Sequence, residues 1–185
     1  GITYISSGDP LFTHQFSHAW FDFRNKSDAY ADYFENSVKA TQAHKLFCLS
    51  LKNKFPTYSA DQWGITSSDS EHGYVAWGGP PPMGPIDGTV VPCAPGGSIA
   101  FRYDDCMAVL RKARTAPGVW DRYGYTDAFN PGNGWVNPDV IGIDVGITML
   151  MVENHRTGFV WKTFMNAPEV QKGMRAAGFH ESHAG

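Results

Sequence analysis

The chain has 185 residues, 42% of them apolar and 14% aromatic, enough for one soluble domain or part of one. Its net charge of −3, with 15 Lys plus Arg and no basic run, excludes the electrostatic footprint of a nucleic-acid binder. No stretch of 18 apolar residues offers a membrane span, and Cys48, Cys93 and Cys106 form neither a disulfide framework nor a zinc ribbon.

In chain order, the pattern predicts a first helix from Leu11 to Phe23 and a second from Ala31 to Leu51. In the second, Phe34, Val38, Phe47, Cys48 and Leu51 form an apolar stripe opposite Glu35, Lys39, Gln42 and Lys45. Periodicity fails from Pro56 to Ala100, and a loop of that length inside a domain is read as functional. Helix resumes over Tyr103–Arg114, with basic residues at its C-terminal end and Pro117 and Gly118 as a stop. The apolar run from Asp144 to Asn154 is too short to cross a membrane and is expected as a buried central helix. After a break at Thr157 and Gly158 come a short helix, Phe159–Met165, and a last one with Asn166 as N-cap, Glu169 in capping-box position and Gly178 as stop. There is no run of period-two strands, no internal repeat and no second domain.

Chemistry concentrates between Tyr123 and Phe164. Tyr123, Tyr125, Phe129 and Trp135 offer faces for pyranose rings, while Asp127, Asn130, Asp144, Glu153 and Arg156 offer partners for hydroxyls. The competing reading is that the aromatics fill a core and the carboxylates cap helices. Upstream, HQFSH has the spacing of a zinc H-E-x-x-H motif, but Gln15 stands where the general base would be, so a metalloprotease is not expected. His14, His18 and Asp22 share one helical face, either as a satisfied polar core or, with Gln15, bonding substrate. The loop Ser67–Trp77 sets Asp69, Glu71 and His72 beside Tyr74 and Trp77, and a carboxylate among aromatics can hold its proton to neutral pH. Neither G-x-S-x-G nor a phosphate-binding glycine loop is present. Acid/base chemistry by carboxylates remains, and Glu35, Asp69, Asp127, Asp144 and Glu153 are candidates. Glycosidic hydrolysis requires two, and the sequence does not pair them.

The strings LFTHQFSHAWFDFRN, DYFENSVKAT, WGITSSDSEHGY, DGTVVPCAPGGSIAF, YGYTDAFN, GIDVGITMLMVENHRTGFVW and APEVQKGMRAAGF together resemble the glucoamylase-like domain family of bacterial proteins. That family includes endo-β-1,2-glucanases, and related domains occur in cyclic β-1,2-glucan synthases. The resemblance runs from about Pro10 to Phe179 and implies an all-α fold, an (α/α)6 toroid with a sugar cleft at one end. Such a toroid needs ~200 residues before any long loops, against the five or six helices read here, so the chain is expected to be the C-terminal half of one domain spanning 1–185. The glutamate usually proposed as general acid in the family lies in the earlier half and has no match here.

The resemblance implies a glycoside hydrolase acting on β-glucan, β-1,2-linked. Catalytic residues are expected among Asp69, Asp127, Asp144 and Glu153, with Gln15, His18, Asp22, Trp63, Tyr125, Trp135 and Arg156 binding substrate. No metal or cofactor is expected. The expected partners are a glucan and the N-terminal half of the same barrel, with a periplasmic or secreted location, although the N-terminus GITYISSGDP carries no signal peptide. A non-catalytic glucan-binding module and a transglycosylase are the alternatives. One departure is ENHRTG, where His155 replaces an expected Tyr before Arg156.

Overall fold

The computed structural model describes residues 1–6 and 10–182. A 3-10 turn, Leu11–His14, leads into the short helix α1, Phe16–Trp20, and then strand β1, Lys26–Ser27. The expected continuous first helix is therefore broken at Gln15, whose φ of −118° departs from helix while its side chain turns inward. Inside, Gln15 Nε2 donates to Ala94 O at 2.7 Å and to Ser98 Oγ at 2.7 Å.

Helix α2, Tyr33–Ser50, matches its predicted bounds to within two residues. Asp32 caps it by accepting from Glu35 N at 2.9 Å. Its inward face is small and polar as well as apolar, with Ser37, Ala40, Thr41, Ala43, His44, Phe47 and Cys48 buried. His44 bridges two chain segments. Nδ1 donates to Gly79 O at 2.7 Å, which leaves Nε2 to accept from Ile65 N at 2.9 Å. Burial holds His44 neutral, with its pKa lowered to about 4.

The region from Pro56 to Ala100 is not a surface loop. It holds the hairpin β2, Ser68–Ser70, with β3, Gly73–Val75, and the one-turn helix α3, Cys93–Gly96. Tyr58, Trp63, Ile65, Trp77, Val90, Val91 and Ile99 from this region are all buried in one apolar cluster. Its irregular backbone is satisfied locally, as in Tyr58 Oη donating to Thr89 O and Trp77 Nε1 donating to Ser68 Oγ. Packing without a repeat explains why periodicity gave no signal there.

Helix α4, Tyr103–Ala113, follows, with Lys45 and Arg102 both paired to Asp105 at 2.6 Å. Two further hairpins come next, β4, Trp120–Asp121, with β5, Gly124–Tyr125, and β6, Phe129–Asn130, with β7, Trp135–Val136. Helix α5, Gly142–Thr157, ends at Gly158, whose φ of +66° requires the left-handed region. Only one face of α5 is buried, through Ile147, Met151 and Asn154, whereas Ile143 is 60% and Met149 63% exposed. The expectation of a buried central helix is corrected accordingly: α5 is buried on one face only. Asn154 fixes α5 to its neighbours, donating to Ala19 O in α1 and accepting from Trp161 N.

Helix α6 spans Phe159–Met165, as predicted, and α7 spans Pro168–Ala176. The last helix is started by Pro168 in its first turn after Ala167, and Asn166 does not cap it. Strand β8, His180–Glu181, pairs with β1 and so ties the end of the chain to its beginning. The described residues thus combine seven helices with four two-stranded antiparallel sheets. Cys48, Cys93 and Cys106 are free and buried, and among the described residues no helix is long and apolar enough to cross a membrane.

Candidate active site

A bridge between Val90 and Phe129, with backbone bonds of 2.8 and 3.0 Å, draws the segment before β6 against the central irregular region. Asp127 therefore reaches β2, and its Oδ2 accepts from Asp69 N at 2.7 Å. After β7 the chain returns through Asn137, whose N donates to Ala128 O. The Asn137 amide Nδ2 then donates to Asp127 Oδ2 and to Asp69 Oδ2, each at 3.2 Å. Asp144, in the first turn of α5, completes the group, and the helix N-terminus favours negative charge there.

Asp127 is only 1% exposed, and burial is the largest cause that pushes its carboxyl up, to about 7. The bond from Asp69 N opposes that rise, and the neighbouring Asp144 and Asp69 carboxyls add to it. Asp144 is also raised, first by burial, while bonds from Asp127 and Cys93 pull it down. Its Oδ2 is buried without a conventional hydrogen-bond partner. Two carboxyls in contact cannot both ionise cheaply, so the pair shares a proton.

These groups border a cavity of about 360 Å³, lined by Gln15, Asp69, Asp127 and Asp144 with the apolar faces of Phe12, Phe16, Tyr74 and Ile143. A second cavity of about 810 Å³ lies between α4, α5 and the β4–β5 hairpin, and it contains Tyr125, Trp120, Tyr123, Glu153 and Arg156. Asp144 and Cys93 line both cavities and form the wall between them. Glu153 is paired with Arg156 at 3.1 Å.

The residues singled out from sequence thus divide. Gln15, Asp69, Asp127 and Asp144 meet in the first cavity, and Tyr125, Glu153 and Arg156 meet in the second. His18 is buried among Phe23, Phe34 and Phe101, bonded to Ser37 Oγ, and burial lowers its pKa to about 3. Asp22 is held by Arg24 at 2.7 Å. Trp63 is fully buried, so its part is packing and not stacking on a sugar. Trp135 packs half-buried against the core and lines neither cavity. His155, in the ENHRTG segment, stacks on Tyr103 with ring centroids 4.4 Å apart. Asn137, which joins the two carboxylates, escaped the sequence reading. In the sequence, an Asn before Pro138 signals only a turn.

A family model, Glycoamylase, described as "Putative glucoamylase", matches residues 2–168. The chain belongs to the Glycoamylase family. Among curated relatives, an exo beta-1,2-glucooligosaccharide sophorohydrolase (non-reducing end) of Parabacteroides distasonis is 34% identical over 174 residues, covering 92% of this chain and 24% of that protein. A structure from Bacteroides uniformis bearing the same family description has a TM-score of 0.87 at 34% identity, over 96% of this chain and 43% of the other. The endo-beta-1,2-glucanase from Chitinophaga pinensis, in complex with sophorotriose and glucose, has a TM-score of 0.85 at 30% identity, over 94% and 41% respectively. The chain therefore spans about a quarter of the curated relative and about two fifths of these solved structures.

Proposed function

We propose that this chain forms part of a glycoside hydrolase acting on β-1,2-linked glucan, with Asp144 as a catalytic carboxylate and Asp127 as the residue that sets its protonation and position. The observation that carries the reading is the pair formed by buried Asp127 and neighbouring Asp144, both with raised pKa, on the wall of a sugar-sized cavity. Two relatives supply the substrate class, since their names specify a β-1,2-glucooligosaccharide sophorohydrolase and an endo-β-1,2-glucanase.

Geometry constrains the roles. Acid and base carboxyls of a glycosidase flank the scissile bond from ~5 to ~9.5 Å apart. Asp127 and Asp144 are in contact, so they act from the same side and do not straddle the bond. Asp144 shares a proton with Asp127, and the N-terminus of α5 favours its ionised form, which suits activation of a water molecule. The Asp69 carboxyl borders the same cavity and would orient sugar hydroxyls, whereas Gln15, 1% exposed and bonded to Ala94 O and Ser98 Oγ, packs beneath it in place of the expected contact with substrate. The opposing general acid comes from outside this group of side chains, and we place it in the further helices of an (α/α)6 toroid. Those helices would also cover the exposed apolar residues Ile143 and Met149 of α5. We further propose that this toroid works in the periplasm or as a secreted protein.

The test is turnover of linear β-1,2-glucan by the chain alone and joined to the additional segment its relatives carry. Joined, Asp144→Asn should lower kcat by ~10²- to 10⁴-fold with little change in KM. Unchanged kcat in that variant would refute the assignment. Binding without turnover in the unaltered joined protein would replace it with a glucan-binding module, and glucan-to-glucan transfer products would replace it with a transglycosylase.

A further inference from the structure

On the far side of the β2–β3 hairpin from Asp144 lies a separate cavity of about 670 Å³. It shares no lining residue with the carboxyl cavity. The hairpin divides the two. Asp69 and Tyr74 border the carboxyl cavity, whereas Ser70, Glu71, His72 and Val75 border the other. Three other segments close it, contributing Phe55, Asp87 with Gly88, and the β6–β7 turn with Asn130 and Asn133.

The polar groups of this cavity are fixed before any ligand arrives. Asn133 Nδ2 donates to Glu71 Oε2 at 2.7 Å, and Asn133 Oδ1 accepts from Trp135 N at 2.9 Å. Asp87 accepts from Thr89 N through Oδ1 at 2.9 Å, and Asn130 Nδ2 donates to Asp87 O at 3.3 Å. Carboxylates and amides oriented in this way present acceptors and donors together, which suits hydroxyl groups that do both. Two carboxylates beside a single Lys54 would repel a phosphate or another anion. Phe55 adds an apolar face, and the glycine at 88, at φ +98°, keeps it open, since a Cβ there would stand 3.2 Å from the ring. The volume falls within the roughly 300 to 1,000 Å³ of clefts that bind small ligands.

We propose that this cavity is a second saccharide-binding site, taking a stretch of neutral glucan separate from the one at Asp144. The choice of glucan rests on the proposed β-1,2-glucan hydrolase function, while the site itself rests on its own lining. A chain held on both sides of the hairpin would bind more tightly than at either cavity alone, through effective concentration.

Amide chemical-shift mapping with a β-1,2-linked glucotriose tests this on the chain joined to the additional segment its relatives carry. The expected result is two saturable sets of shifts, one at Asp127, Ile143 and Asp144 and one at Gly73, Gly88, Gly132 and Asn133. Truncating the exposed pair, Glu71→Ala with Asn133→Ala, should weaken the second set at least tenfold and leave the affinity of the first unchanged. A separate His72→Ala variant should weaken the second set alone if the paired truncation unfolds the β6–β7 turn. Shifts confined to the first set would overturn the second site and leave the proposed function standing. Shifts at neither set would overturn both.

Discussion

Replacing Asp127 by Asn should change how stability depends on pH more than it changes stability itself. The carboxyl titrates near its ordinary value of 3.8 in the unfolded chain and at about 7 in the folded one. Because the folded pKa is raised, the folded state holds a proton that the unfolded state releases. The stabilisation is complete below the unfolded value and is lost as pH rises through the folded one. A tenfold difference in proton affinity is worth about 1.36 kcal/mol, so a rise from 3.8 to about 7 amounts to about 4 kcal/mol across the window. Asp144 shares the proton and makes this an upper limit. The Asn side chain can keep an oxygen toward Asp69 N and Asn137 Nδ2 and present its NH2 toward Asp144, so the variant should retain the local bonds without titrating. Urea unfolding of both proteins between about pH 5 and about pH 7 should show the native chain losing about 2 to 3 kcal/mol more than Asp127→Asn over that range. Parallel pH profiles would refute a proton shared between Asp127 and Asp144.

Other outcomes follow from individual contacts. Gly97→Ala places a Cβ 2.5 Å from Gln15 Oε1 and should cost about 1 to 3 kcal/mol by urea unfolding, with much of it recovered when Gln15→Ser is added. His44→Leu leaves Ile65 N and Gly79 O without their partner and should cost at least about 1 to 3 kcal/mol, again read from the unfolding midpoint. Trp63→Ala, at a fully buried site, should cost about 3 to 5 kcal/mol in the same assay. By contrast, Arg156→Ala removes one partner of an exposed ion pair and should cost less than about 1 kcal/mol, so a larger loss would point to a buried role for that pair.

What the sequence disclosed depended on whether structure is periodic. Helices α2, α4 and α6 were legible to within a residue or two because their apolar positions recur at helical spacing and their ends carry Asp32, Pro117 with Gly118, and Gly158. The stretch from Pro56 to Ala100 was read as a functional loop because it buries Tyr58, Trp63, Trp77 and Val90 through irregular backbone that no period describes. The same gap led Trp63 to be taken for a sugar platform, since composition does not tell a buried indole from an exposed one. At the site, the carboxylates were recognisable by type, but their pairing was not. Asp69 and Asp127 are 58 residues apart and meet only because Val90 bridges to Phe129 and Asn137 returns beneath them. The break at Gln15 has a similar origin, since its partners Ala94 and Ser98 lie about eighty residues away.

The central claim is that sugar is bound against Asp144 with Asp127 behind it, and a crystal structure with a β-1,2-linked glucotriose bound tests it most directly. The expected result is a sugar ring in the cavity bordered by Gln15, Asp69 and Asp144, with an Asp144 oxygen facing the space beside a glycosidic bond and Asp127 touching only protein. An ordered glucotriose that leaves this cavity empty, or one whose reacting bond lies away from Asp144, would contradict it.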